Sequence, residues 1–534
     1  VWKRGRAVSG YSALAMRGMV SAPHHLAAQA GRDVLRDGGN AVEAAVAVAA
    51  TLAVVYPHMT GIGGDGFWLI AKPDGGMLAI DACGRAAAAA DLALYAGYDA
   101  VPWRGPLAAN TVAGTLAGWE AALAACPGSL PRERLLRDAI ELAESGVPVT
   151  EGGAEIAAAK GPELREQPGA YADIFEPEGA PLTAGAVLRQ PALAGTFREL
   201  AREGFGSFCR GSLARSVAAD LERLGSPVSA ADLAACEAAL VAPLETAIRN
   251  ARLYNMTFPT QGFAALLILA LFDRLGVSEA DGFDHVHGLV EATKLAFLLR
   301  DAHCGDPAYT DFDPQALLRD AAALDAMAAR IDPAKARPWP EPAAPGDTTW
   351  FGAADKDGLV VSAIQSTYFE FGSGLVLPES GITWQNRGAS FRLAEHGWNA
   401  LKPGRKPFHT LNPAIARFDD GRVMAYGTMG GEGQPQTQAA LFTRYGLFGQ
   451  GLQQAIAAPR WLLGRTWGED STSLKIERGL DPALYASLRD AGHEVELVAP
   501  NNSMMGHASA VVRHADGVLE GASDPRSDGI AAGW

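Results

Sequence analysis

The residues with the clearest capacity for chemistry are two adjacent threonines, Thr348 and Thr349, directly after Asp347. A threonine hydroxyl is a weak nucleophile at neutral pH and needs a base to take its proton. The pair opens an apolar segment, then an Asp355-Lys356-Asp357-Gly358 turn and a second apolar run, Leu359 to Ile364. Asp-Gly between two such runs predicts a hairpin, because the tight turn needs positive φ. Taken alone, a threonine at the mouth of a hairpin is a strand residue of good β propensity. A second candidate is GTMGG, Gly427 to Gly431. Main-chain N–H groups at glycines can approach a developing negative charge without a side chain intervening. On its own this stretch is a turn. The third is Gly61 to Gly66, GIGGDG. It lacks GK[ST] and leads into a strand, Phe67 to Ile70, so a tight structural turn is expected in place of a phosphate loop.

The elements around these residues follow from local signals. His25 to Leu35 has helical spacing and stops at Gly38-Gly39. Asn40 then caps a second helix, with Glu43 three residues on as a capping box. Ala44 to Tyr56 is the longest uncharged apolar stretch. It is shorter than the ~18 residues that suggest a membrane span, and predicts a buried helix. The middle third is helical, and Val423 to Tyr426 is strand-like. Residues 332–347, DPAKARPWPEPAAPGD, are rich in Pro and Ala without apolar periodicity and predict an exposed linker directly before Thr348.

With 534 residues, 48% of them hydrophobic and 20% charged, the chain can bury a large core. A net charge of -15 argues against nucleic-acid binding, which needs a basic face. The five cysteines, Cys83, Cys126, Cys209, Cys236 and Cys304, are scattered and lack CxxC spacing. Buried free thiols are therefore expected, with no metal site and no cofactor. The first residues are basic but carry no apolar core of a secretory signal, so a cytoplasmic protein is expected, or a periplasmic one if a leader was trimmed.

Taken together, TTWFGAADKDGLVVS, FGSGLVLPESGI and GTMGG, in that order, resemble the small subunit of the gamma-glutamyltransferase family. GGNAVEAAVA and GIGGDGF near the start resemble the family's amino-terminal signature. Glu291 to Phe297, Gly305-Asp306-Pro307, GRKPFHTLNPAIA and the closing DPRSDGIAAGW keep its order across nearly the whole chain. Where the family usually reads PPPSSGG, this chain has Phe258-Pro259-Thr260-Gln261-Gly262. The resemblance implies an α+β fold, a four-layer αββα sandwich of the N-terminal nucleophile hydrolase type. It also implies a large subunit, residues 1–347, and a small subunit, 348–534, with a dimer of such pairs as a further expectation.

It further implies that cleavage between Asp347 and Thr348 makes Thr348 a new amino terminus and the nucleophile. A free α-amine on the same residue titrates near neutrality and supplies the base. Gly430 and Gly431 match the family's oxyanion pair, and Ser366 falls where a second hydroxyl bonds the nucleophile's amine. The positions that hold a glutamyl amino group are replaced by Tyr368, Arg387 and Ser390, and the Ser-Ser pair for the carboxylate by His409-Thr410. Losing those acceptors while gaining a guanidinium suits a planar carboxylate or dicarbonyl. The family's carboxylate-clamping arginine falls on Cys83, with Arg85 two residues on and on the same face if the segment is extended.

WQNRGASF, Trp384 to Phe391, and GRKPFHTLNPA resemble the branch with oxamate amidohydrolase and cephalosporin-acylase-like members. The expected activity is hydrolysis of a small carboxylate-bearing amide such as oxamate. A true gamma-glutamyl transferase or hydrolase is the alternative, and an uncleaved, non-catalytic binding protein the second. The expected partners are a small-molecule substrate and the chain's own subunits, with no nucleic acid and no membrane.

Overall fold

The computed structural model describes residues 10–339, 348–464, 466 and 471–534. Two seven-stranded sheets, antiparallel throughout, stand face to face. The first runs, in spatial order, Ile530–Gly533, Gly18–Ala22, Thr349–Asp355, Val360–Ser366, Asp65–Ala71, Met77–Ala82 and Ala239–Val241. The second runs Ala13–Ala15, Leu519–Ser523, Ala508–Arg513, Val423–Thr428, Ala414–Phe418, Ala251–Asn255 and Leu244–Ile248. Strands from before and after Thr348 occur in both sheets, so neither half could build either sheet alone.

Three apolar layers hold this stack together. Phe67, Leu69, Trp350 and Ile364 of the first sheet meet Ile415, Ala425 and Val511 of the second between the sheets. The outer face of the first sheet packs on a helical layer that includes Ala41–Val55, and that of the second on helices including Gly262–Arg274 and Gln434–Phe442. The result is a four-layer αββα sandwich, as expected.

The hairpin forms as its sequence predicts, Thr349 pairing with Gln365 and Ala354 with Val360. Gly358 closes the turn at φ +97°. The Asp355 carboxylate accepts from the Leu359 N–H and from Ala41 N–H, tying the turn to the next layer. Asn40 caps the helix Ala41–Val55 with the expected capping box. All 15 residues of that helix are buried, which accounts for its Ala/Val run: small side chains let it lie against the sheet and its neighbouring helix. Among the described residues no helix is long and apolar enough to cross a membrane. The five cysteines are unpaired, and Cys236 alone of them is half-buried rather than buried.

Of the expected linker, residues 332–339 are described. Most of these residues are exposed, but the main chain is pinned. Ala336 N–H donates to the Ala491 carbonyl, Arg337 N–H to the Glu291 carboxylate, and Lys294 to the Arg337 carbonyl. A Pro/Ala-rich composition predicts little self-structure; it does not report hydrogen bonds that the rest of the protein offers. Residues 340–347, with the Asp347 side of the expected cleavage site, lie outside the described residues.

Candidate active site

Thr348 lies at the start of an interior strand of the first sheet, directly before Thr349–Asp355, and is fully buried. The Thr349–Gln365 pairing continues to set Ser366 across from it, and Ser366 in turn pairs with Asp65 on the next strand. The sharp entry into that strand needs glycine. A Cβ on Gly64 would stand 2.0 Å from the Ser366 carbonyl oxygen, and one on Gly63 would stand 2.3 Å from that of Thr383. GIGGDG is therefore a close-packed structural turn.

Gly430 and Gly431 follow the strand Val423–Thr428 at φ +122° and +50°. The Gly430 carbonyl accepts from Gly433 N–H, and the Gly431 carbonyl from Gln261 Nε2 at 2.7 Å. Fixing both carbonyls fixes their peptide planes. The next helix begins at Gln434, whose Nε2 donates to Thr348 Oγ1 at 3.4 Å while its Oε1 accepts from Asn412 Nδ2 at 3.0 Å. The segment carrying the glycine pair thus returns to the Thr348 hydroxyl.

Arg387 is fully buried, with its guanidinium carbon 3.6 Å from the centre of the Tyr368 ring. Nη2 donates to Thr410 Oγ1 at 3.3 Å, whereas Nε and Nη1 find no hydrogen-bond partner among the described residues. Burial pulls its pKa down to about 10. Such donors are costly to leave unmade, and a carboxylate is their natural complement. Beside it, His409 Nε2 meets Asp65 Oδ2 at 3.0 Å, and His409 Nδ1 has no partner among the described residues. Burial and then the Arg387 charge hold the imidazole neutral, well below its ordinary pKa. The same burial raises Asp65 to about 6, against the opposing pull of Gly84 N–H and Arg387. Asp65, Cys83 and His409 offer ligand-type atoms within 4.8 Å of one another. Asp65 Oδ1 already accepts from Gly84, Gly114 and Gln385, and the Arg387 and Lys406 charges act on the cluster, so it is built as a hydrogen-bonded dyad and disfavours a cation.

The other expected site residues divide. Tyr368 is buried in the left-handed region at φ +85°, its N–H donating to Ser366 Oγ at 2.7 Å. Thr410 belongs to the Arg387 group. Ser390 spends its hydroxyl on the Phe408 carbonyl. Arg85 is not brought to Arg387: its side chain is 56% exposed, donates to the Gly404 carbonyl and faces Asp306. The strand Met77–Ala82 ends before Cys83, so the two-residue alternation that would have aligned Arg85 with Cys83 does not reach them. Sequence reasoning missed Asp65, Gln261, Asn412, Gln434 and Arg300. Arg300 Nη1 donates to Gln261 Oε1, and its Nη2 pairs with Glu432 at 2.5 Å. Only Gln261 gave a signal, as part of the departure at 258–262.

A four-layer αββα sandwich with a buried threonine heading a central strand defines an amidohydrolase of the N-terminal nucleophile class, and comparison with known proteins supplies the family. The model for gamma-glutamyltranspeptidase matches residues 27–534, and the chain belongs to that family. It is 54% identical to the oxamate amidohydrolase proenzyme of Klebsiella pneumoniae, over 98% of this chain and 99% of that one. It is 39% identical to a glutathione hydrolase-like proenzyme of Bacillus subtilis, over 98% and 99%. The crystal structure of cephalosporin acylase from Bacillus halodurans superimposes with a TM-score of 0.91 at 32% identity, covering 100% of this chain and 99% of that one. The chain is an enzyme, and its relatives are hydrolases.

Proposed function

We propose that this chain cleaves itself before Thr348 and then hydrolyses a small amide bearing a carboxylate next to the scissile carbonyl, of the oxamate type. The observation that carries this is Arg387: buried, over the Tyr368 ring, and holding two nitrogens, Nε and Nη1, that have no hydrogen-bond partner among the described residues, beside Thr410. A γ-glutamyl group would bring an ammonium, which a neighbouring guanidinium repels. The 54% identity to a protein named as an oxamate amidohydrolase proenzyme supports both halves of the reading.

In this mechanism the Thr348 hydroxyl attacks the Asp347 carbonyl, the C–N bond breaks to leave an ester and a free α-amine, and water opens that ester to release the hydroxyl and the Asp347 carboxylate. In the processed enzyme that amine takes the Oγ proton as Oγ attacks the amide carbon. Gln434 Nε2 steadies the oxygen during the attack. The Gly430-Gly431 backbone receives the oxyanion, the peptide plane that carries the Gly431 N–H being held by the Gly433 N–H to Gly430 carbonyl bond. The amine returns the proton to the leaving nitrogen, and water releases oxalate from the acyl-enzyme. The two pieces, 1–347 and 348–534, stay together because they share both sheets.

Incubating processed enzyme separately with oxamate and with a γ-glutamyl anilide tests the reading. Ammonia release from oxamate is expected. Rapid anilide turnover stimulated by amine acceptors, with oxamate inert, would replace it with the glutathione-hydrolase alternative.

A further inference from the structure

We propose that the amide nitrogen of the natural substrate carries an aromatic group, making the substrate class N-aryl oxamic acids. This inference rests on the acyl-group reading above and concerns the other side of the scissile bond. A cleft of about 790 Å³ lies beyond Tyr368 and Glu432. Sites for drug-sized ligands span roughly 300–1,000 Å³, whereas oxamate is only a carboxylate joined to a primary amide. The cleft is connected to the catalytic segment by chemistry already described. Glu432 follows Gly431, and Arg300, also in its wall, holds the Gln261 that fixes Gly431.

Its lining selects the occupant. Tyr98, Trp103, Phe369, Trp398 and Phe408 line it, and Tyr98 and Trp103 are 50% and 58% exposed, unusual for such large rings. The cations are mostly spent within the wall. Arg104 donates to Glu163 and to the carbonyls of Glu370 and Gly372. Arg300 pairs with Asp301 and Glu432, and Arg392 lies over the Trp398 ring. A neutral ring entering the cleft finds aromatic faces in its wall. With the carboxylate on Arg387, the substituent runs outward past Tyr368 and Glu432.

The step balances without a further reactant. Thr348 Oγ forms the ester as the C–N bond breaks, the hydroxyl proton passes through the α-amine to the nitrogen, and an arylamine leaves. Water then cleaves the oxalyl ester to oxalate.

Steady-state kinetics of processed enzyme on oxamate and on N-phenyloxamate, with Trp103→Ala and Trp103→Phe, test the inference. N-phenyloxamate is expected to have the higher kcat/KM, the gain lying in KM. Trp103→Ala should shrink the preference by roughly tenfold, and Trp103→Phe should keep most of it; Tyr98→Ala repeats the test should Trp103→Ala fold poorly. Turnover of oxamate with N-phenyloxamate slower, or a preference unmoved by these variants, overturns the inference and leaves the acyl-group reading standing. If both oxamates are inert while the γ-glutamyl anilide is cleaved, the acyl-group reading fails and the inference with it.

Discussion

The Arg387 guanidinium carbon lies over the Tyr368 ring, 3.6 Å from its centre, and Tyr368 holds a backbone conformation, φ +85°, that non-glycine residues seldom adopt. Strain of this kind persists where surrounding structure over-determines it, commonly at functional sites. Here the Tyr368 N–H to Ser366 Oγ and the Phe369 N–H to Asn386 Oδ1 bonds hold the turn. Arg387→Lys keeps a charge but loses the planar fork and the stack. KM for oxamate should rise about 10- to 100-fold, the worth of one charge-assisted hydrogen bond or two, with a smaller change in kcat. Steady-state kinetics check this, and a KM within twofold of the parent would remove Arg387 from substrate binding.

Gln434 predicts the opposite split. Its amide touches the Thr348 hydroxyl at 3.4 Å and is held by Asn412, so it acts on the nucleophile and not on the substrate carboxylate. Gln434→Leu should lower kcat about 10- to 100-fold, below the loss for a full oxyanion donor because the bond is long, and leave KM close to the parent. Self-cleavage should slow too, since it uses the same oxygen; a time course on denaturing gels reads that directly.

Asp65 makes a pH prediction. Its folded-state pKa, about 6, stands above the ordinary value of 3.8 because burial penalises the charge. The folded state therefore holds this proton more tightly than the unfolded chain. The stability it contributes is present below about pH 4 and is lost as pH rises through 6, about 3 kcal/mol in all. Asp65→Asn cannot ionise. The difference in unfolding midpoint between parent and variant should shift in the variant's favour from pH 4 to pH 7. A difference that stays flat across that window would contradict a raised Asp65 pKa.

Asn40 offers a test remote from the site. Its side chain accepts from Val42 and Glu43 N–H and donates to the Cys126 and Pro127 carbonyls. Asn40→Ala should cost about 1–2 kcal/mol. Thermal unfolding should show a lower midpoint, with KM for oxamate unchanged.

The capping box and the Asp-Gly hairpin turn were legible in the sequence because each is closed within a few residues. The site is not local in that way. His409 meets Asp65 across 344 positions, Gln261 meets Gly431 across 170, and Gln434 meets Thr348 across 86. Such bonds leave no periodicity to find. The family resemblance names Thr348, Arg387 and His409-Thr410 by counting along matched motifs, and the structure places Arg387 beside Thr410 and Gln434 against Thr348. The resemblance misjudged Arg85, where the inference needed a strand that ends at Ala82. Asp65 was in view within GIGGDG and passed as a turn residue, since nothing nearby shows that a histidine will arrive to meet its carboxylate.

The central claim is that Thr348 supplies both the hydroxyl that cuts the chain and the amine that later activates that hydroxyl. Intact-mass measurement with amino-terminal sequencing of purified parent and Thr348→Ala proteins tests it most directly. The parent should yield two chains, the smaller beginning Thr348-Thr349-Trp350, and the variant one uncut chain that leaves oxamate untouched. A Thr348→Ala protein that matures into the same two pieces and still hydrolyses oxamate would contradict it.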